Sequence, residues 1–558
     1  VTPDIIIVNA SVLTMDPEAP RAEAVAIAGK EIAAVGATKV IRAMAGPRTR
    51  IIDAGGGSVV PGFIEGHMHL FAGAAELDNL DLQGVKGEAA LEMAIKSYVA
   101  NRPGSSLVIG GHADYTLISE SEPLSRHHLD RILPDRPILV YSPDHHTSWA
   151  NTIALEQAGI LQGRKLGPGN EIVMGADGLA TGELREGEAS EPVMALATSG
   201  NRDRLGLSTG GEPDPYPNPE QFEHDIEVMK RGLAHCARHG ITSVHNMDGN
   251  NYMLEILSEI ERRGELTARV YVPFHFKNFM PLAALNRASA MAAGYRSEKI
   301  KSGFVKLFMD GVLDSGTAVM LDDYPDQPGW RGDPLFTQEH FNAVAVEADR
   351  RGLQIAVHAI GDGAVRSVLD GYEAAAKANG RRDSRHRVEH IEVVHAGDIP
   401  RFAGLGVIAS MQPPHPPGNH GLPLEPTLTK IGEAKWHLSY AWNALREAGA
   451  RLVFATDWPV SDINPLRSIQ SALLRKKWRQ DLPDNRQTLD QAIASYTREG
   501  AYAEFAEDRK GMLRKGFLAD LVVLPVDLEK VPPETYDRIV PAQTICDGQV
   551  TFEAGASA

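Results

Sequence analysis

The sequence predicts an α/β protein. It has a (β/α)8 TIM-like barrel with an insertion after its first strand, plus a small β-sandwich formed by both termini. Three observations carry this expectation. Eight short, apolar, β-branched runs recur along the 558-residue chain, and helical periodicity follows them, the pattern of a parallel sheet with crossover helices. Both chain ends are instead rich in short strands and turns. About 170 residues separate His69 from Gly240, far more than one crossover helix needs.

In order, residues 4–9, 24–28, 31–35 and 50–53 read as strands, punctuated by Gly29-Lys30 and Gly55-Gly56-Gly57. The eight barrel runs are 58–63, 240–245, 268–273, 304–308, 354–358, 387–391, 406–410 and 451–455. Residues 107–110 and 138–141 are strand candidates inside the insertion, and 205–220, rich in Gly and Pro, reads as an exposed loop. Strands at 516–524 and 543–546 follow the barrel, and Asp547-Gly548 marks a hairpin turn into 549–552. Neither end has enough apolar residues for a core alone, so the two are expected to fold together. The expected division is 1–58 and 509–558 for the sandwich, 59–74 with 226–508 for the barrel, and 75–225 for the insertion.

A hydrophobic fraction of 43% and a charged fraction of 23% are those of a globular protein and exclude disorder as the main state. With 56 basic and 73 acidic residues the net charge is −17, which argues against nucleic acid or an anionic membrane as partner, since both need a positive field. No apolar run approaches the roughly 20 residues of a membrane helix. Cys236 and Cys546 are too few for a disulfide framework. No basic segment followed by an apolar core opens the sequence, so the expected compartment is the cytoplasm. The expected partner is a small-molecule substrate, with a homodimer as the expected assembly.

Five features fall where barrel strands end, the face that carries active sites in this architecture. His67-Met68-His69 places two imidazoles on one side of an extended chain. Lys306 sits in the apolar run 304–308, where an ammonium is costly. It reads either as an ion pair with Asp310 or as an amine of lowered pKa, able to take up carbon dioxide as a carbamate that bridges two cations. His358 and His390 each end a strand, where a lone histidine is more often structural than a ligand. His386 and His395 flank the strand around His390 and look exposed. Asp457, in Thr456-Asp457-Trp458-Pro459, is a carboxylate ending an apolar strand. It needs a partner there, unless it caps a helix. Together these residues favour a metal centre, and imidazole with carboxylate suits Zn, Fe, Ni or Mn better than Ca or Mg.

The series of motifs resembles the amidohydrolase superfamily, in its YtcJ-like branch (amidohydrolase family 3), nearly end to end. It runs through 60–69 with His67-Met68-His69, 144–151, 181–186, Lys306 to Gly311, 358–362, Glu389-His390, Met411-Gln412-Pro413, 456–460 and 515–524. The resemblance implies that His67, His69 and Asp457 bind one metal and that His358 and His390 bind a second. Lys306, N6-carboxylated, would bridge the two. The expected cofactor is a divalent metal pair, two Zn first, with Fe, Mn or Ni as alternatives. The sequence departs from many relatives at Gly110-Gly111-His112, where a Gly-Trp pair is common. His112 is therefore a candidate for altered substrate preference, and the insertion is the expected seat of substrate choice.

The implied activity is hydrolysis of a non-peptide carbon–nitrogen bond (amide, N-acyl or N-formyl) by metal-activated water. Asp457 acts in turn as base and acid. His245 and His275 end the second and third strands and are substrate or structural candidates. His146, Gln412 and His415 are pocket candidates by resemblance. Asp310 is expected to fix the loop after Lys306. Met320, Trp330 and Phe308 are wall candidates. Two rival readings stand beside this one: a mononuclear metal-dependent deaminase of a ring C=N substrate, and a non-catalytic small-molecule binding protein on the same fold.

Overall fold

The computed structural model describes residues 2–102, 106–142, 147–167 and 170–555. Eight parallel strands form one sheet in sequence order: β1 (Phe63–Met68), β2 (Ile241–Asn246), β3 (Arg269–His275), β4 (Ile300–Phe308), β5 (Gln354–Ala359), β6 (Arg387–His390), β7 (Ile408–Met411) and β8 (Arg451–Phe454). Every residue of β1, β2, β3, β5, β6 and β7 is buried, as expected for strands covered on both sides. Amphipathic helices supply the outer cover. Asp362–Asn379 turns Val365, Val368, Leu369 and Tyr372 inward, and Gln338–Arg350 opens on the Thr337 hydroxyl, which accepts from the His340 amide.

The register brings chemistry-bearing side chains level. Lys306 lies opposite His275, Phe308 opposite His358, and His390 opposite Ala359. β1 and β8 meet without a regular ladder. A Cβ added to Gly66 would stand 2.4 Å from Val453 Cγ1 and 3.1 Å from the Phe454 carbonyl, so only glycine lets these strands approach. Just beyond, the Asp457 amide donates to the His67 carbonyl (3.0 Å) and the His69 amide to the Trp458 carbonyl (2.8 Å).

The run at 58–63 is not a single barrel strand. Ser58–Pro61 pairs with Ser11–Leu13 and Leu521–Val523 in the terminal sheet, and the barrel strand starts at Phe63. A Cβ on Gly62, between them, would lie 2.2 Å from Thr242 Oγ1, so the chain turns from one sheet to the other at a residue that must be small.

Two sheets are built from the chain ends. Four strands run in the order Glu31–Gly36, Ala24–Ala28, Ile5–Val8, Arg50–Asp53. Six run in the order Gln549–Glu553, Gln543–Cys546, Leu521–Val523, Ser58–Pro61, Ser11–Leu13, Arg21–Ala22. One apolar core joins residues of both ends, among them Ile7, Val25, Ile52 and Val59 with Leu513, Leu521 and Ile545. Cys236 and Cys546 are buried free thiols.

The chain divides into two compact units, one of Val1–Gly73, Gly206–Glu212 and Lys230–Ala558, the other of Ala74–Leu205 and Pro213–Met229. The second has its own six-stranded sheet, which includes Val108–Gly111 and Ile138–Tyr141, and its own cores around Leu91, Ile138 and Trp149 and around Leu139, Leu155 and Leu184. The expectation of an exposed loop at 205–220 is corrected in part. Residues up to Ser208 are helical, and Glu212 accepts the Asn251 and Tyr252 amides (both 2.9 Å) at the start of the helix Asn251–Arg262. Among the described residues no helix is long and apolar enough to cross a membrane.

Candidate metal centre

The ends of β1 and β8 converge on one carboxylate oxygen. Asp457 Oδ1 lies 3.3 Å from His67 Nε2 and 3.2 Å from His69 Nε2, and donor atoms of the three side chains all fall within 4.8 Å of one another. The Asp457 backbone is left-handed (φ 62°), as is that of His390 (φ 79°), a strain of about 1–3 kcal/mol each that the surrounding bonds hold in place.

The far nitrogen of each imidazole is already committed. His67 Nδ1 donates to Glu389 Oε2 (2.7 Å) and His69 Nδ1 to Asp248 Oδ1 (2.5 Å). These acceptors hold a ring proton on each Nδ1 and leave both Nε2 atoms facing Asp457. The second pair is held by neutral groups: His390 Nδ1 meets Gln412 Oε1 (2.9 Å), and His358 Nε2 donates to the Gly311 carbonyl (2.9 Å). The His390 ring centroid lies 4.8 Å from that of His67 and 4.5 Å from that of His358, so the two pairs abut.

Lys306 is wholly buried within this group. Its Nζ stands 4.7 Å from the Phe308 ring and has no hydrogen-bond partner among the described residues. Burial lowers its pKa to about 8 against the pull of Glu389 and Asp457. Burial likewise holds His67 and His390 well below the usual imidazole range and His358 at about 3, with Lys306 adding to each. Burial opposes a charge on His69, but the carboxylates of Asp248 and Asp457 outweigh it and raise the ring to about 10. Asp457 stays well below the usual carboxylate range because His67 and His69 outweigh its burial.

Asp310 does not pair with Lys306. Its carboxylate accepts the amides of Val319 (2.9 Å), Ile360 (3.0 Å) and Gly361 (2.9 Å) and so ties down the loop after β4; burial raises it to about 7 against those bonds. His415, expected as a substrate contact, joins the centre: its Nε2 and His390 Nδ1 each lie 3.9 Å from Asp457 Oδ2. Gln412, also expected there, orients His390. His275 donates from Nδ1 to the Gly206 carbonyl (2.8 Å) and stacks on Phe308, whose ring leans on His358 (centroids 4.7 Å apart).

His245 has the surroundings of the structural of its two expected roles: its ring nitrogens face Arg387 (2.9 Å) and Glu504 (3.5 Å), in a fully buried position. His386 is corrected: it is buried, takes the Ile355 amide on Nδ1 and pairs with Asp349 through Nε2. His395 is exposed. Met320 is buried, and Trp330 is partly exposed with its indole donating to the Gly316 carbonyl. His112, in the second unit, is exposed and pairs with Asp81 (2.9 Å) at a positive φ of 61°. His146 lies outside the described residues.

Sequence reasoning missed Asp248, Glu389 and Arg387 as partners of the centre. It missed Glu65 as well, whose carboxylate accepts the Thr456 amide (2.6 Å). Arg387 and Glu389 precede His390 in one short strand, a weak signal; Asp248 carried none.

The residues present fit a divalent cation. Asp457 Oδ1 and Lys306 Nζ are buried without hydrogen-bond partners among the described residues, and two imidazole Nε2 atoms point at that same oxygen. Buried polar atoms of this kind require a partner, and an N/O donor set suits a Zn-like ion.

A model of the "Amidohydrolase family" matches residues 50–552. The chain is 30% identical over 534 residues to Protein LONG AFTER FAR-RED 3 of Arabidopsis thaliana, covering 93% of this chain and 87% of that protein. It is 26% identical over 574 residues to an N-substituted formamide deformylase of Arthrobacter pascens, covering 99% of each. A crystal structure of an uncharacterized metal-dependent hydrolase from Pyrococcus horikoshii OT3 superposes with a TM-score of 0.75 at 23% identity, over 95% of this chain and 99% of that one.

Proposed function

Because the chain belongs to the amidohydrolase family, we propose that it is a metal-dependent hydrolase of a non-peptide carbon–nitrogen bond, with N-formyl and N-acyl amines as its substrate class. One observation carries the reading: His67 and His69 aim their Nε2 atoms at a single buried oxygen of Asp457. The likeness to a formamide deformylase over 99% of both chains supports the substrate class.

His67, His69 and Asp457 would hold one divalent cation, zinc by the chemistry of the donors. His358, His390 and a carboxylated Lys306 would hold a second. A bound cation supplies Lewis acidity, which acidifies water and polarises a carbonyl. The protein's own part is to hold bases and exclude solvent. Asp457, kept ionised by His67 and His69, accepts the proton of the attacking water and returns it to the leaving nitrogen. Its left-handed backbone, fixed by the hydrogen bond its amide donates to the His67 carbonyl, aims the carboxylate for both transfers. His415, beside Asp457 Oδ2, is placed to steady the carboxylate between them. The stack of His275, Phe308 and His358 forms an apolar flank.

The test is a panel of N-formyl amines, N-acyl amines and ring C=N compounds given to the metal-loaded protein, with metal content measured alongside. Release of formate or another carboxylate is the expected result. Ammonia from ring substrates alone, with about one metal per chain, would replace the proposal by the deaminase reading. A bicarbonate-dependent mass increment on Lys306 checks the carbamate.

A further inference from the structure

We infer that Arg387 is a positioning residue for the His67 metal position, acting on that histidine from two sides at once. Arg387 is 1% exposed and lies inside the barrel. Its guanidinium donates from Nε to Glu389 Oε1 (2.7 Å) and from Nη2 to Glu389 Oε2 (3.0 Å), a bidentate grip on the carboxylate that accepts from His67 Nδ1. The same Nη2 lies 2.6 Å from the carbonyl of Gly66, the residue before His67. One side chain therefore fixes both the ring of His67, through Glu389, and its backbone, through Gly66. Nη2 also reaches Ser410 Oγ (3.0 Å) and Nη1 meets His245 Nδ1 (2.9 Å), so four of the eight strands are tied to this one group.

The charge pattern gives the arrangement a direction. Below Arg387, His245 leads to Glu504 (3.5 Å) and Glu504 to Lys510 (2.5 Å), which balances the buried column without reaching a metal donor. Above it, the ionised Glu389 makes the His67 ring a stronger donor at Nε2. His390 gains no such support, because its Nδ1 faces the neutral amide of Gln412. The hydrogen bonds of Arg387 thus reach His67, through Glu389 and Gly66, and not His390. A lysine could not replace it, since a single ammonium cannot span Glu389, Gly66 and His245 together.

This inference rests on the proposed metal centre, and the experiment separates the two. Chelator-stripped protein is titrated with zinc(II) in competition with a chromophoric chelator near neutral pH. The variants are Arg387→Met, Arg387→Lys, Glu389→Gln and Tyr372→Phe. Tyr372 donates to the Arg387 carbonyl (2.7 Å) and touches none of the guanidinium contacts, so it controls for destabilisation alone. The first three variants are expected to lose about 10- to 100-fold in zinc affinity at one position, while Tyr372→Phe loses thermal stability but keeps its affinity. If Arg387→Met does not fold, Arg387→Lys and Glu389→Gln carry the test. Wild-type affinity in Arg387→Lys and Glu389→Gln would overturn the inference. Failure of the wild type itself to bind zinc would overturn the metal centre instead.

Discussion

At the residue scale, the chemistry depends on which side chains keep a charge in a dry place. Asp457 remains ionised because His67 and His69 face it, and among the described residues its carboxylate lies next to both with its other oxygen toward His415. Asp457→Asn preserves shape and removes the base. Turnover is expected to fall by about 10²- to 10⁴-fold, while His67 and His69 retain most of the bound metal. Near-normal turnover in that variant would remove Asp457 from the mechanism. A second residue reports on stability alone. His386 is buried as the neutral ring, since its Nδ1 accepts the Ile355 amide (3.1 Å), and burial lowers its pKa despite Asp349. Its folded pKa lies below the unfolded value of 6.5, so the unfolded chain takes up more protons as pH falls. Its contribution is complete above that value and is lost progressively below it. The urea midpoint should therefore decline more steeply below 6.5 in the wild type than in His386→Asn, which cannot titrate there; parallel slopes would contradict the assignment.

At the scale of elements, barrel closure is the critical joint, and it depends on a glycine. Gly66→Ala would push a methyl to 2.4 Å from Val453 Cγ1, so β8 must shift where it carries Asp457. A loss of about 1–3 kcal/mol is expected, with weaker zinc binding, read by thermal melting and chelator competition; a variant with wild-type values in both would show that the joint is slack. How far such joints are legible in a sequence depends on their range. Seven of the eight barrel runs are readable because burial on both faces makes most of their residues apolar or β-branched. His67 and His69 are readable because alternation puts them on one side of a strand. The switch from Ser58–Pro61 to Phe63–Met68 is not readable, since both strands are apolar and only the packing of Gly62 against Thr242 separates them. Asp248, Arg387 and Glu389 escape for a related reason. Each is an ordinary polar residue until a partner from a strand far along the chain arrives.

At the scale of the whole molecule, the β-rich ends are legible as strands, but their attachment to the barrel is not, because it rests on contacts between residues far apart in the chain. Arg269, at the start of β3, donates to Asp520 Oδ2 (2.8 Å) just before the strand Leu521–Val523 and to Asp547 Oδ1 (2.9 Å) in the hairpin turn. The Asp547 amide in turn donates to Asp520 (2.7 Å), and Thr544 Oγ1 to the Ala237 carbonyl (2.7 Å). Three charged groups are thus dry together, and such a cluster costs more to break than to replace. Arg269→Met takes the guanidinium from Asp520 and leaves Asp547 to Lys30 (3.4 Å) and Lys299 (3.8 Å), and is expected to cost about 3–5 kcal/mol, with proteolysis opening first in the C-terminal strands. Replacing all three, as Arg269→Met with Asp520→Leu and Asp547→Asn, removes the charges while asparagine keeps the left-handed turn position (φ 57°), and should recover part of the loss. If the triple variant melts below the single one, the cluster holds the sandwich by specific geometry rather than by charge balance.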